Sequence, residues 1–165
     1  MAVKKTIAIV GATEKAGVEI VKRFSGMPYR LLLVSNYAEQ LSQLAIDISQ
    51  KNPAAEIDTI ECVKDGCWEA DIIILAVPQC EEKQAAEMMK DVATQKIVVA
   101  VSNTEVENVL PYCKVVKISL AAKNEIILSG NNLAANEEIA KIFNQAGYHV
   151  GNADLTDKLI SETNK

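Results

Sequence analysis

Apolar positions along the chain follow two patterns in alternation. Short unbroken runs at Thr6–Val10, Arg30–Val34, 71–77 and 96–101 carry almost no polar residue. Continuous runs of this length predict strands covered on both faces, as in a parallel sheet. After the first run, Gly17, Ile20, Val21 and Phe24 recur at helical spacing, with Lys22 and Arg23 between them, until Gly26 and Pro28 end the helix. A second helical stripe is Leu41, Leu44, Ala45 and Ile48, and Ser35 and Asn36 are its candidate N-caps. Residues 57–62 read as a weaker third strand, followed by a short acidic turn around Trp68. Pro78 closes the fourth strand, and the helix after it places Ala85, Met88, Met89 and Val92 on one buried face.

Three more strands are predicted beyond Ser102-Asn103, at 114–120, 125–129 and 148–151. A helix bearing Ala135, Ile139, Ile142, Phe143 and Ala146 lies between the last two, with Gly147 as its C-terminal cap. Parallel strands need crossover helices, so the alternation predicts an α/β fold: a doubly wound, mostly parallel sheet of about eight strands. Such sheets bind ligands beyond the carboxyl ends of their strands, beside strand one. The loops after Val10, Val34, Val77 and Val101 are therefore where function is sought.

Composition narrows the classes. With 165 residues, the chain suits one domain and leaves no room for a separate substrate domain. Seventeen basic against 22 acidic residues give a net charge of −5, which disfavours a nucleic-acid partner. No apolar run approaches the ~20 residues of a membrane span, and the basic start runs into a strand rather than a leader, so a soluble cytoplasmic protein is expected. Cys62, Cys67, Cys80 and Cys113 match neither zinc nor redox spacings and His149 is the only histidine, so no metal is expected and the cysteines read as reduced and mostly buried.

The loop after strand one reads Gly11-Ala12-Thr13-Glu14-Lys15-Ala16-Gly17. Gly11 permits a tight turn and Gly17 close packing of the helix, leaving N–H groups at the helix start for a pyrophosphate. Glu14 stands where a dinucleotide loop has its middle glycine. It either opposes a phosphate, with Lys15 as partial compensation, or serves as an acid favoured by the helix dipole. After strand two, Ser35-Asn36-Tyr37 lacks the acid that holds the ribose of NAD and so leans to NADP, although no cation is adjacent. Its other reading is a plain helix cap.

The ordered segments IAIVGATEKAG, LLLVSN, ADIIILAVP, KIVVAVSN, VVKISL and IILSGNN, the last followed by a helix ending AGYHV, resemble one family. It is the Rossmann domain of the deazaflavin-coenzyme-dependent NADP oxidoreductases, matched from about Lys5 to Leu155. Ala76-Val77-Pro78 and Ser129-Gly130-Asn131-Asn132 are the most specific parts. The resemblance implies a pyrophosphate loop of Gly11, Ala12, Thr13 and Gly17, and a 2′-phosphate site at Ser35 and Asn36. It also implies a nicotinamide half lined by Ala76, Val77 and Pro78, with Ser102 and Asn103 opposite. The family has glycine at Glu14, arginine at Asn36 and an asparagine near Ser119-Leu120, and it continues into helices that enclose the substrate. A homodimer is expected to supply that wall.

Hydride transfer between cofactors needs little acid or base from the protein, so a missing catalytic set does not exclude a reductase. No Tyr-x-x-x-Lys pair occurs, which argues against a short-chain dehydrogenase. His149 reads as structural, with proton donor as the alternative. Cys80 reads as a buried or capping thiol, with nucleophile as the alternative. Asn103 is the best polar candidate in the nicotinamide half, though also an ordinary helix cap. The leading expectation is hydride transfer between NADP(H) and an acceptor such as a flavin or deazaflavin. The alternative is a non-catalytic Rossmann module or a dinucleotide sensor.

Overall fold

The computed structural model describes residues 4–101, 105–122 and 124–152. The chain runs β1 (Thr6–Val10), α1 (Lys15–Phe24), β2 (Arg30–Val34), α2 (Ala38–Lys51), β3 (Glu56–Ile60), α3 (Val63–Glu69), β4 (Ile72–Leu75) and α4 (Gln79–Met89). It continues through β5 (Ile97–Ala100), a 3₁₀ turn at Val106–Asn108, β6 (Lys114–Ala122), β7 (Glu125–Gly130), α5 (Leu133–Gln145) and β8 (His149–Asn152). One eight-stranded sheet has the order β3-β2-β1-β4-β5-β6-β7-β8. Every neighbouring pair is parallel except β6 with β7. The chain therefore has the doubly wound, Rossmann-like α/β fold.

Alternating side chains split the core across the sheet. Ile7, Ile9, Leu31, Leu33, Ile72 and Ile74 pack under α1, α2 and α5, whereas Ala8, Val10, Leu32, Ile73 and Leu75 pack under α3 and α4. Phe24 and Phe143 meet edge to face at 5.2 Å between ring centres and tie α1 to α5. Such a pair contributes about 0.5–1.5 kcal/mol beyond its buried area. The Arg23 guanidinium lies 4.2 Å from the centre of the Tyr148 ring, next to Phe143. Gly147, with φ of +98°, lets the chain turn from α5 into β8, as its cap reading requires.

Four expectations are corrected. The region around Trp68 is a helix, α3, because Val63, Gly66 and Cys67 fall at helical spacing and are buried. Lys96 Nζ closes its far end by donating to Cys67 O at 2.7 Å and Trp68 O at 2.8 Å. Met88 is half exposed, since α4 buries Glu82, Ala85, Ala86 and Met89. Ser35 and Asn36 do not cap α2: its N-cap is Tyr37, without a side-chain bond to the helix. Of the cysteines only Cys67 is fully buried, Cys113 is half-buried, and Cys62 and Cys80 are exposed.

Candidate active site in the crevice beside β1

β1 delivers the chain into Gly11, whose φ of +86° suits glycine. A Cβ at Gly11 would also lie 2.8 Å from both Ala76 C and Val77 N, so the loop after β4 closes directly on this turn. A Cβ at Gly17 would lie 2.1 Å from Gly11 O, which explains how closely α1 docks. Both glycines singled out in the sequence therefore have a packing reason.

The donors of the turn divide into used and free. Gly11 and Ala12 N–H both donate to Val34 O, at 2.9 and 3.2 Å, and Glu14 N–H donates to Gly11 O at 3.0 Å. Helical bonding in α1 begins only with Val18 N–H to Glu14 O at 2.8 Å. The N–H groups of Lys15, Ala16 and Gly17 have no carbonyl one turn earlier within the helix and face out of its end. Such donors at the positive end of a helix dipole are the chemistry by which anions are held.

Glu14 stands at the N-cap of α1 in extended conformation, with no side-chain bond to the helix. It lines the crevice. A carboxylate about 5 Å from one phosphate charge opposes it by roughly 3 kcal/mol at an effective dielectric of 20. Lys15, the expected compensating cation, is exposed and does not line the hollow. The position expected to receive a pyrophosphate thus has backbone donors and an adverse charge beside them.

Next to the turn is a cavity of about 120 Å³. Val10 and Gly11, Val34 to Tyr37, and Val77 with Glu81, Gln84, Ala85 and Met88 form its sides. Binding sites for whole drug-sized ligands measure about 300–1,000 Å³, so this hollow suits one ring of a larger ligand lying across the crevice. Tyr37 and Met88 are 54% and 50% exposed and offer two apolar flanks to such a ring. The α4 contribution was missed in the sequence, yet its signal is present: Glu81, Gln84, Ala85 and Met88 fall at i, i+3, i+4 and i+7.

Thr13 and Ser35, expected at the cofactor, meet each other. Their hydroxyls are 2.7 Å apart, and Ser35 Oγ also accepts the Tyr37 N–H at 3.1 Å. Ser35 is buried, whereas Asn36 is exposed on the rim. Ala76 is buried under the Gly11 turn, Val77 reaches the hollow, and exposed Pro78 caps α4. Ser102 and Asn103 lie outside the described residues. Cys80 is exposed in the first turn of α4 and is not among the residues lining the hollow, and His149 is exposed on the edge strand β8.

Ser129-Gly130-Asn131-Asn132 is not at the crevice. Gly130 pairs with Val116, and the chain leaves β7 toward the amino ends of β5 and β6. There it lines a hollow of about 480 Å³ with Glu107, Lys114 and Lys117. Lys117 Nζ and Glu107 Oε1 meet at 2.8 Å in that hollow, so their charges are already matched. Burial raises the Glu107 carboxyl, but the hydrogen bond from Lys117 and its own backbone outweigh it and hold the group below its usual range. Ser119 and Leu120, by contrast, lie past the last β5–β6 pair, Ala100 with Lys117, on the crevice end of the sheet.

Among the described residues no cluster of three or more His, Cys, Asp or Glu side chains could hold a metal, and no helix is long and apolar enough to cross a membrane. No family model and no curated protein matches the chain in sequence. Solved structures do match it in shape. Plasmodium falciparum pyrroline carboxylate reductase with NADP bound superposes with a TM-score of 0.69 at 12% identity, over 90% of this chain and 57% of that one. A putative F420-dependent NADP reductase from Arthrobacter sp. FB24 has a TM-score of 0.69 at 15% identity, over 89% of this chain and 83% of that one. Prephenate dehydrogenase from A. aeolicus, in complex with hydroxyphenyl propionate and NAD⁺, has a TM-score of 0.71 at 12% identity, over 92% of this chain and 60% of that one. This chain thus spans little more than half of two of these three enzymes. At such identities the likeness shows the Rossmann-like fold alone and does not single out the deazaflavin-dependent family.

Proposed function

We propose that the chain binds a nicotinamide dinucleotide across the carboxyl ends of β1, β2 and β4 and takes part in hydride transfer to a small acceptor. One observation carries this reading. The Gly11 turn leaves the N–H groups of Lys15, Ala16 and Gly17 directed out of α1, beside a ring-sized hollow at the switch point of the sheet. In this reading Tyr37 and Met88 flank the adenine, the start of α1 receives the pyrophosphate, and Val77 and Pro78 lead toward the nicotinamide. The bound dinucleotide supplies the hydride chemistry. The protein's part is to orient it and exclude water from the covered face. The acceptor is a flavin or deazaflavin, as the sequence resemblance implies.

A second copy of the chain completes the wall over the acceptor. Opposite α5, the face of β6 and β7 carries Ser119, Ile127 and Ser129 in alternation with core positions, and the 3₁₀ turn reaches it at Lys117 through Glu107. Sedimentation equilibrium is expected to give a dimer, and a monomer at all concentrations removes this part. A second reading, a module that binds the dinucleotide without turnover, is favoured by Glu14 at the helix cap. Oxidation of bound NADH or NADPH by free flavins under single-turnover conditions separates the two. Loss of nicotinamide fluorescence faster than in protein-free controls supports the reductase, and binding without such loss supports the sensor.

A further inference from the structure

We infer that the crevice selects NAD(H) over NADP(H), a conclusion that rests on the dinucleotide reading above. The two cofactors differ only by a 2′-phosphate on the adenosine ribose, which in this topology lies beside the loop after β2. A phosphate there needs a cation or free donors. The loop offers Ser35, Asn36 and Tyr37, none of them charged. Ser35 is 8% exposed, and its Oγ is engaged by the Thr13 hydroxyl and the Tyr37 N–H. The hydroxyl pair best placed for a phosphate is thus engaged mainly in joining the first two strand ends, and although Ser35 borders the hollow the pair brings no charge to it.

The charges that do line the hollow have the wrong sign for that phosphate. Glu14 enters from the turn after β1 and Glu81 from the first turn of α4. No Lys, Arg or His lines the hollow among the described residues. Ribose hydroxyls can donate to a carboxylate, whereas a 2′-phosphate adds negative charge to a hollow already lined by two acids. The loop after β2 lacks the usual ribose-binding acid, which on sequence alone leans toward NADP. The acids reach the same hollow from two other elements, and that reverses the lean.

Titration of the full chain with NADH and with NADPH, followed by nicotinamide fluorescence at low salt, tests this. NADH is expected to bind at least about tenfold more tightly, a difference of about 1.4 kcal/mol. The gap is expected to narrow as salt screens the repulsion. Asn36→Arg, at an exposed position, is expected to tighten NADPH by about tenfold and NADH by no more than about twofold. Glu81→Gln should favour NADPH in the same sense. Equal or tighter NADPH binding in the unaltered protein overturns the inference and leaves the dinucleotide reading standing. Binding of neither nucleotide at millimolar concentration overturns both.

Discussion

Two strand–turn–helix junctions in this molecule use glycine, and they finish the helix in opposite ways. At the start of α5, Asn132 Oδ1 accepts the Ala135 N–H at 2.9 Å, and Asn136 Nδ2 donates to Gly130 O at 2.9 Å. Gly130 is required because a Cβ there would meet Asn136 Oδ1 at 2.5 Å and Val115 O at 2.8 Å. Side chains of the junction thus hold one helix N–H and the last strand carbonyl, while Asn136 Oδ1 stays buried without a partner. At the start of α1 the N-cap Glu14 makes no cap bond, and three backbone donors remain directed outward. The closed junction serves the fold; in the proposed reading the open one serves a ligand, its difference from the equally uncapped α2, α3 and α4 being the glycine turn and the hollow beside it. The same glycine-containing pattern in the sequence therefore meets two different helix starts, and only the neighbouring side chains tell them apart.

The sharpest way to break this contrast is to fill the glycines. Gly17→Ala is expected to cost about 3–5 kcal/mol or prevent folding, because its Cβ would sit 2.1 Å from a backbone carbonyl. Gly130→Ala should cost less, about 1–3 kcal/mol, since one of the two crowding groups is a side chain that can turn away. Urea unfolding measures both, and equal stability to the unaltered protein would show that these junctions are looser than described.

Glu14→Gln should separate binding from stability. Removing the carboxylate is expected to tighten NADH by about tenfold and NADPH by more, while lowering stability by about 0.3–1 kcal/mol through the lost dipole interaction. Unchanged affinity would mean that the carboxylate is not the obstacle. Asn132→Ala, at the closed junction, should cost about 1 kcal/mol in urea unfolding and leave nucleotide affinity alone. A change in affinity there would contradict the division between the two ends.

The buried interior and the crevice rim should also differ in thiol chemistry. Burial pushes the Cys67 thiol up to about 12 from an ordinary value near 9, with a small opposing effect from Lys96. Native protein at mildly alkaline pH is therefore expected to lose exposed Cys62 and Cys80 to an alkylating reagent well before Cys67. The raised folded value implies stability that is whole below pH about 9 and is lost as pH climbs toward about 12, where only the unfolded thiol ionises readily. Burial raises Tyr29 and Tyr148 as well and acts in the same direction. Thermal melts that stay constant through this alkaline range would contradict the burial of Cys67.

Much of this architecture was legible in the chain, and the reason is periodicity. β1, β2, β4 and β5 are covered on both sides, so their sequences are short, almost unbroken apolar runs whose length and flanking turn residues mark them as strands. Gly11 and Gly17 were legible because steric demands at a strand end leave a fixed trace. The α3 helix was not, since seven residues with Gly66 inside make a weak pattern, and that glycine is kept by Val34 Cγ2 at 2.7 Å from where its Cβ would be. The roles of Ser35 and Met88 were also hidden. Whether Ser35 caps a helix or joins Thr13, and whether Met88 faces the core or the crevice, depends on residues far away in sequence.

The most direct test of the central claim is a residue-resolved map of where a dinucleotide touches the protein. Amide ¹H–¹⁵N spectra recorded while NADH is added should show shifts gathered in Gly11 to Gly17, Ser35 to Tyr37 and Val77 to Met88, with the Gly130 to Asn136 junction unmoved. Shifts centred on that second junction, or none at millimolar NADH, would contradict the account.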